Sequence, residues 1–143
     1  MGIMGFGAGF SGPSRDMLVR RAATSTFGQA AFVREGDDVT VVAFGQMVGR
    51  AAAPLDALEA EGITCDLIDP RTSSPLDTAS ILESVEATGR LVVVDESPPR
   101  CGLTADIAAL AADRAFHALK GPIKQVCAPH SPTPFAPELE AAY

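Results

Sequence analysis

Val39-Thr-Val-Val-Ala-Phe44 is a continuous apolar, β-branched run set between the turn residues Glu35-Gly36-Asp37-Asp38 and a strand-breaking Gly45. Runs of this kind mark strands buried on both faces, as in a parallel sheet covered by helices on either side. Working outward, Met47, Val48, Ala51, Ala52, Leu55 and Leu58 recur at helical spacing as far as Gly62, which suits a C-terminal cap, and Pro54 inside that stretch predicts a kink. Ile63 to Ile68 reads as the next strand. Asp69-Pro70-Arg71-Thr72-Ser73-Ser74 follows as a polar loop, with Ser74 as the expected cap of a helix that has Pro75 at its first position. That helix carries Leu76, Ile81, Leu82 and Val85 and stops near Gly89. Leu91 to Val94 is again a strand, Asp95 to Gly102 a loop, Leu103 to Leu119 an alanine-rich helix, and Ile123 to Cys127 a closing strand. Before the deciding run, Phe27 to Arg34 reads as a short strand.

Strands alternating with helices at this spacing predict an α/β, three-layer α/β/α sandwich. The expected organisation is a flexible leader or linker over residues 1–26, one domain over 27–128, and an extended tail over 129–143. Prolines 129, 132, 134 and 137 in that tail argue against regular structure. Residues Arg15 to Arg21 could form a short helical turn.

The 143 residues, 47% hydrophobic and 20% charged, are enough for one packed core and exclude a disordered or fibrous chain. A formal charge of −7 has the wrong sign for neutralising phosphate backbones or anionic lipid, so neither nucleic acid nor a membrane is an expected partner. The longest apolar runs fall far short of the ~20 residues that span a bilayer. The first ten residues lack a basic region and a cleavage site, so no signal peptide is expected. Cys65, Cys101 and Cys127 are odd in number and never spaced C-x-x-C, which fits a reducing, cytoplasmic setting better than a disulfide framework or a zinc site.

Gly7-Ala-Gly-Phe-Ser-Gly12 matches G-x-G-x-x-G, yet no proper strand precedes it and Pro13 follows, so the match is read as chance in a glycine-rich leader. Asp95 and Glu96 are neighbours at a strand end and point apart, which rules out a shared-proton dyad. His117 reads as a surface histidine at a helix end, and His130 lacks companions at metal-ligand spacing. A Ser97/His130/Asp95 triad has no nucleophile elbow to support it. What remains is the carboxyl end of the sheet. The topology is expected to gather Asp69, Arg71, Glu96, Arg100 and His130 there, with Gln46, Thr72 and Ser97, either as loop capping with an Asp69–Arg71 ion pair or as a ligand site. Arg71 and Glu96, each following a strand taken as adjacent to the other, are expected to pair across this edge.

Five segments in order carry a resemblance: Glu35-Gly-Asp-Asp-Val-Thr-Val-Val-Ala43, Gly62-Ile, Ile68-Asp-Pro-Arg-Thr-Ser-Ser-Pro-Leu-Asp77, Thr88-Gly-Arg-Leu-Val-Val-Val-Asp-Glu96 and Pro132-Thr-Pro-Phe-Ala-Pro-Glu-Leu-Glu140. From about Phe27 to Tyr143 the chain resembles the C-terminal, transketolase-like domain of the beta subunit of thiamine-diphosphate-dependent 2-oxo acid dehydrogenases, which include pyruvate, branched-chain and acetoin forms. The resemblance implies a mostly parallel five-stranded sheet with one antiparallel strand. It also implies an assembly domain: beta against beta in an α2β2 enzyme, next to the alpha subunit and in some complexes the acyltransferase core. The parent enzyme would decarboxylate a 2-oxo acid oxidatively, with thiamine diphosphate and magnesium held by parts outside this sequence. No catalytic, cofactor-binding or metal residue is therefore expected in this chain, and alone it is expected to be inactive, as a fragment of a longer subunit. The alternative is a free-standing α/β domain that binds a small anion near Arg71 and Arg100, or that serves as a scaffold for a partner chain.

Overall fold

The computed structural model describes residues 26–140. Five strands, β1 (Ala31–Arg34), β2 (Val39–Ala43), β3 (Cys65–Asp69), β4 (Leu91–Val94) and β5 (Lys124–Val126), form one sheet in the order β1-β3-β2-β4-β5. The β3–β2, β2–β4 and β4–β5 pairs are parallel, whereas β1 runs antiparallel to β3 with an irregularity between Phe32 and Arg34. The expected mixed sheet with one antiparallel strand is what forms. The leader expected over residues 1–26, with its helical turn and its glycine motif, lies outside the described residues except for Thr26.

Helix α1 (Gln46–Ala60) covers one face of the sheet, while α2 (Thr78–Thr88) and α3 (Leu103–Arg114) cover the other. The alternation along the central strands explains the two cores. Val41, Ala43, Cys65 and Leu67 meet Met47, Val48, Ala52 and Leu55 of α1. Val42, Ile68, Leu91 and Val93 meet Ile81, Val85, Ile107 and Ala111 of the opposite helices. Val42 and Leu67 are fully buried although they belong to opposite faces, as inner strands covered by helices on both sides require.

α1 continues through the exposed Pro54 and ends on Gly62, at φ 84°. There the N–H of Ile63 donates to Leu58 O (2.9 Å) and that of Gly62 to Glu59 O (2.9 Å), the paired bonds that close a helix on a left-handed glycine. α2 likewise ends on Gly89.

Four expectations need correction. Ser74 does not cap α2: the helix starts at Thr78, after a cis Ser74–Pro75 bond, and Asp77 is its cap. Asp77 accepts from Ser80 N–H (3.1 Å) while also reaching Ala30 N–H, so a tertiary contact selects the later start. The first strand is confined to Ala31–Arg34, with Phe27 and Gly28 in a turn. The alanine-rich helix ends at Arg114 and passes into a 3₁₀ turn over Phe116–Ala118, which places His117, exposed, on that turn. The tail is not extended throughout, because Pro137–Glu140 forms a short helix, α4, with proline at the first position where no N–H is needed.

Candidate functional site at the carboxyl edge of the sheet

β2 runs into α1 through Gly45, which holds φ 53°, ψ −124° and has open space where a side chain would project. An L-residue resists that conformation, so glycine here sets the angle at which α1 leaves the sheet. Beside it the carboxyl ends of β4 and β5 frame a half-open cleft of about 660 Å³. Gln46, Met47 and Arg50 of α1 line one side, Val94 to Ser97 the other, and Val126 to Ala128 with Thr133 complete it. A side-chain hydrogen bond from Gln46 to Glu96 bridges the loops after β2 and β4. Asp95 accepts from Ser97 Oγ and from Glu96 N–H (2.9 Å), so its carboxylate shapes its own loop.

The five candidates read from the sequence are distributed along this edge rather than gathered. Asp69 and Arg71 sit at the end of β3, where Asp69 accepts from Arg71 N–H (3.0 Å) and faces its Nε at 3.7 Å. Arg71 adopts φ 60° with a side chain only 13% exposed. Thr72, next in the loop, accepts from Gly28 N–H (3.1 Å) and donates to Pro75 O (2.7 Å), tying the loop to the approach to β1. Glu96 sits at the end of β4 and belongs to the cleft. No Arg71–Glu96 ion pair forms among the described residues: β2 lies between β3 and β4, so the premise of adjacent strands was incorrect. Arg100 and His130 are exposed and do not line the cleft. Of the eight residues expected at this edge, the cleft takes Gln46, Glu96 and Ser97, and it adds Arg50, Cys127 and Thr133.

At the opposite end of the sheet a buried polar chain escaped the sequence reading. Asp66 on β3 accepts from Ser84 Oγ of α2 (2.5 Å) and from Gly36 N–H (2.9 Å). Ser84 Oγ contacts Thr40 Oγ1 of β2 (2.7 Å), which in turn contacts Thr88 Oγ1 (2.8 Å). Each member is at most 8% exposed. The visible signal was polar residues, Thr40 and Asp66, inside strands otherwise apolar on both faces, since a buried polar group demands a partner. Nearby, the Thr64 backbone N–H (2.8 Å) and hydroxyl (3.1 Å) hold the Asp38 carboxyl below the usual carboxylate range. Burial raises the Asp77 carboxyl, yet the Ala30 and Ser80 N–H groups and the Ser80 hydroxyl outweigh it and the net shift is downward. Burial pushes the Cys65 thiol up.

The described residues do not fit a magnesium-bound diphosphate. No group of three His, Cys, Asp or Glu side chains among them could hold a metal ion, and the turn after β2 carries a single glycine in place of a phosphate-cradling loop. No described helix is long and apolar enough to cross a membrane.

With this sheet order, the antiparallel edge strand and the helices on both faces in place, residues 28–143 match the family described as the transketolase C-terminal domain, and the chain belongs to that family. Its relatives point to one branch. It is 54% identical over 82% of its length to the beta subunit of acetoin:2,6-dichlorophenolindophenol oxidoreductase from Cupriavidus necator, and 47% identical over 84% to that from Bacillus subtilis. It is 40% identical over 79% to the beta subunit of the pyruvate dehydrogenase E1 component of Bacillus subtilis. The chain spans 35% of the length of each of these relatives. A solved split-gene transketolase, an inactive beta4 tetramer, shares the fold with a TM-score of 0.69 and 29% identity over 81% of this chain and 36% of its own.

Proposed function

We propose that this chain is the subunit-association domain of the beta subunit of a thiamine-diphosphate-dependent 2-oxo acid dehydrogenase, with an acetoin-type enzyme favoured by the 54% identity. The parent enzyme would cleave a 2-oxo acid or acetoin oxidatively and pass the acyl group to a lipoyl-acyltransferase. Thiamine diphosphate and magnesium would be held by the rest of that enzyme. The partners would be a second beta subunit, the alpha subunit and, in some complexes, the acyltransferase core, in the cytoplasm; three free cysteines suit that compartment.

The observation that carries the assembly role is the uncovered β5 side of the sheet. All three residues of β5 are exposed, and its outer edge has no partner strand among the described residues. Val126 is 54% exposed, and Phe116, Phe135 and Leu139 are exposed as well. Bare edges and exposed aromatic side chains are what folded chains normally cover with a partner. The beta4 assembly of the split-gene transketolase is in keeping with this reading.

Sedimentation velocity of the chain tests it, alone and with the separately prepared alpha subunit. The expected result is a dimer or a mixed complex that Val126→Lys dissociates, with no acetoin- or pyruvate-dependent dye reduction by the chain alone. A monomer at all concentrations that the alpha subunit does not shift would refute the reading.

A further inference from the structure

The winding of the sheet reverses between β2 and β4. After β2 the chain passes to α1 on one face and moves toward β3; after β4 it passes to α3 on the other face and moves toward β5. The two loops therefore part and open a crevice beyond the strand ends. Ligands of open α/β sheets bind at this kind of reversal, whatever their chemistry. The cleft of about 660 Å³ lies there, within the range of small-molecule sites.

Its lining carries two chemically opposite groups over an apolar floor of Met47, Val94 and Val126. Arg50 lines the cleft from α1, and its guanidinium makes no hydrogen bond or ion pair among the described residues. Glu96 lines it from the β4 loop; its Oε2 accepts from Gln46, and its Oε1 is engaged by no other residue among the described ones. Asp95, by contrast, is committed to Ser97 and the Glu96 N–H. The α1 first turn contains no acidic side chain, so the cleft's carboxylates, Asp95 and Glu96, both stand on the β4 side, across from α1.

We infer that this cleft binds a small organic anion, with its phosphate or carboxylate on Arg50 and a hydroxyl or ammonium donor on Glu96. Arginine suits either acid group through paired N–H donors, and a carboxylate is the natural acceptor for the ligand's donor. The two charged groups of the site, Arg50 and Glu96, lie outside β5, and the site meets the face assigned to assembly only at Val126 and the residues that follow it.

Isotope-labelled chain is titrated separately with AMP, malate and inorganic phosphate, following the backbone amides of residues 46–50 and 95–97. AMP or malate is expected to bind more tightly than about 1 mM, and which of the two does so separates the phosphate from the carboxylate source. Arg50→Gln and Glu96→Gln should each weaken binding at least about tenfold, and Arg114→Gln, on α3 away from the cleft, should leave it unchanged. Both cleft residues are exposed, so the variants should keep a native spectrum. The inference is overturned if neither organic probe shifts these amides, if binding survives Arg50→Gln or Glu96→Gln intact, or if inorganic phosphate binds as tightly as the organic probes, which would mean an adventitious ion only.

Discussion

Replacing Asp77 should destabilise the domain in two separable parts. Its Oδ1 accepts from Ser80 N–H at 3.1 Å and caps α2; its Oδ2 accepts from Ser80 Oγ and from Ala30 N–H, both at 2.8 Å, and so ties the approach to β1 to the helix. Loss of an N-cap costs about 1 kcal/mol. Stranding the half-buried Ala30 N–H from a charged acceptor costs roughly 1–2 kcal/mol more. Asp77→Ala should therefore lose about 2–3 kcal/mol. Asp77→Asn, which can still cap, should lose about half of that. The folded carboxyl titrates below its unfolded value of about 3.9, so its contribution is complete above that pH and disappears as pH falls through the folded value. Urea unfolding of the three proteins at neutral pH and near pH 3 measures both effects. Asparagine mimics the protonated acid, so the gap between wild type and Asp77→Asn should narrow on acidification. A gap that stays constant, or a cost for Asp77→Ala below about 0.5 kcal/mol, would refute the reasoning.

Ser84→Ala removes the link between Asp66 and Thr40 and should cost roughly 2–3 kcal/mol; a double-mutant cycle with Thr40→Val should reveal coupling above about 0.5 kcal/mol in denaturant titrations, and additivity would count against a connected chain. Gly45→Ala forces a side chain onto a positive φ where space itself is free, so a loss of about 1–2 kcal/mol in thermal unfolding would be strain alone. Cys65, buried and with its thiol pushed up, should react with a thiol reagent only as the domain unfolds, while the exposed Cys101 reacts in the native state; mass mapping of the labelled sites distinguishes them.

The central strands were legible because burial on both faces leaves its mark in composition: Val39 to Ala43 and Leu91 to Val94 can be little other than inner strands. Helix ends at Gly62 and Gly89 were legible for a similar reason, since a left-handed cap is set by the local backbone. Strand order was not. Nothing near Arg71 or Glu96 records that β2 stands between them, because sheet neighbours are chosen by packing distant segments, and the expected ion pair was lost on that point alone. The start of α2 was misplaced likewise: Ser74-Pro75 offers a good local cap, but Asp77 satisfies Ala30, 47 residues away, as well as its own helix. The sequence by itself determined the α/β class, the two-sided burial and the glycine caps, all written in spacing of a few residues. Only the tertiary structure decided which loops share the cleft, that Arg50 faces it with Glu96 while Arg71 stays with Asp69, and that Asp66, Ser84, Thr40 and Thr88 join in one buried chain, because those contacts depend on the order in which strands lie side by side.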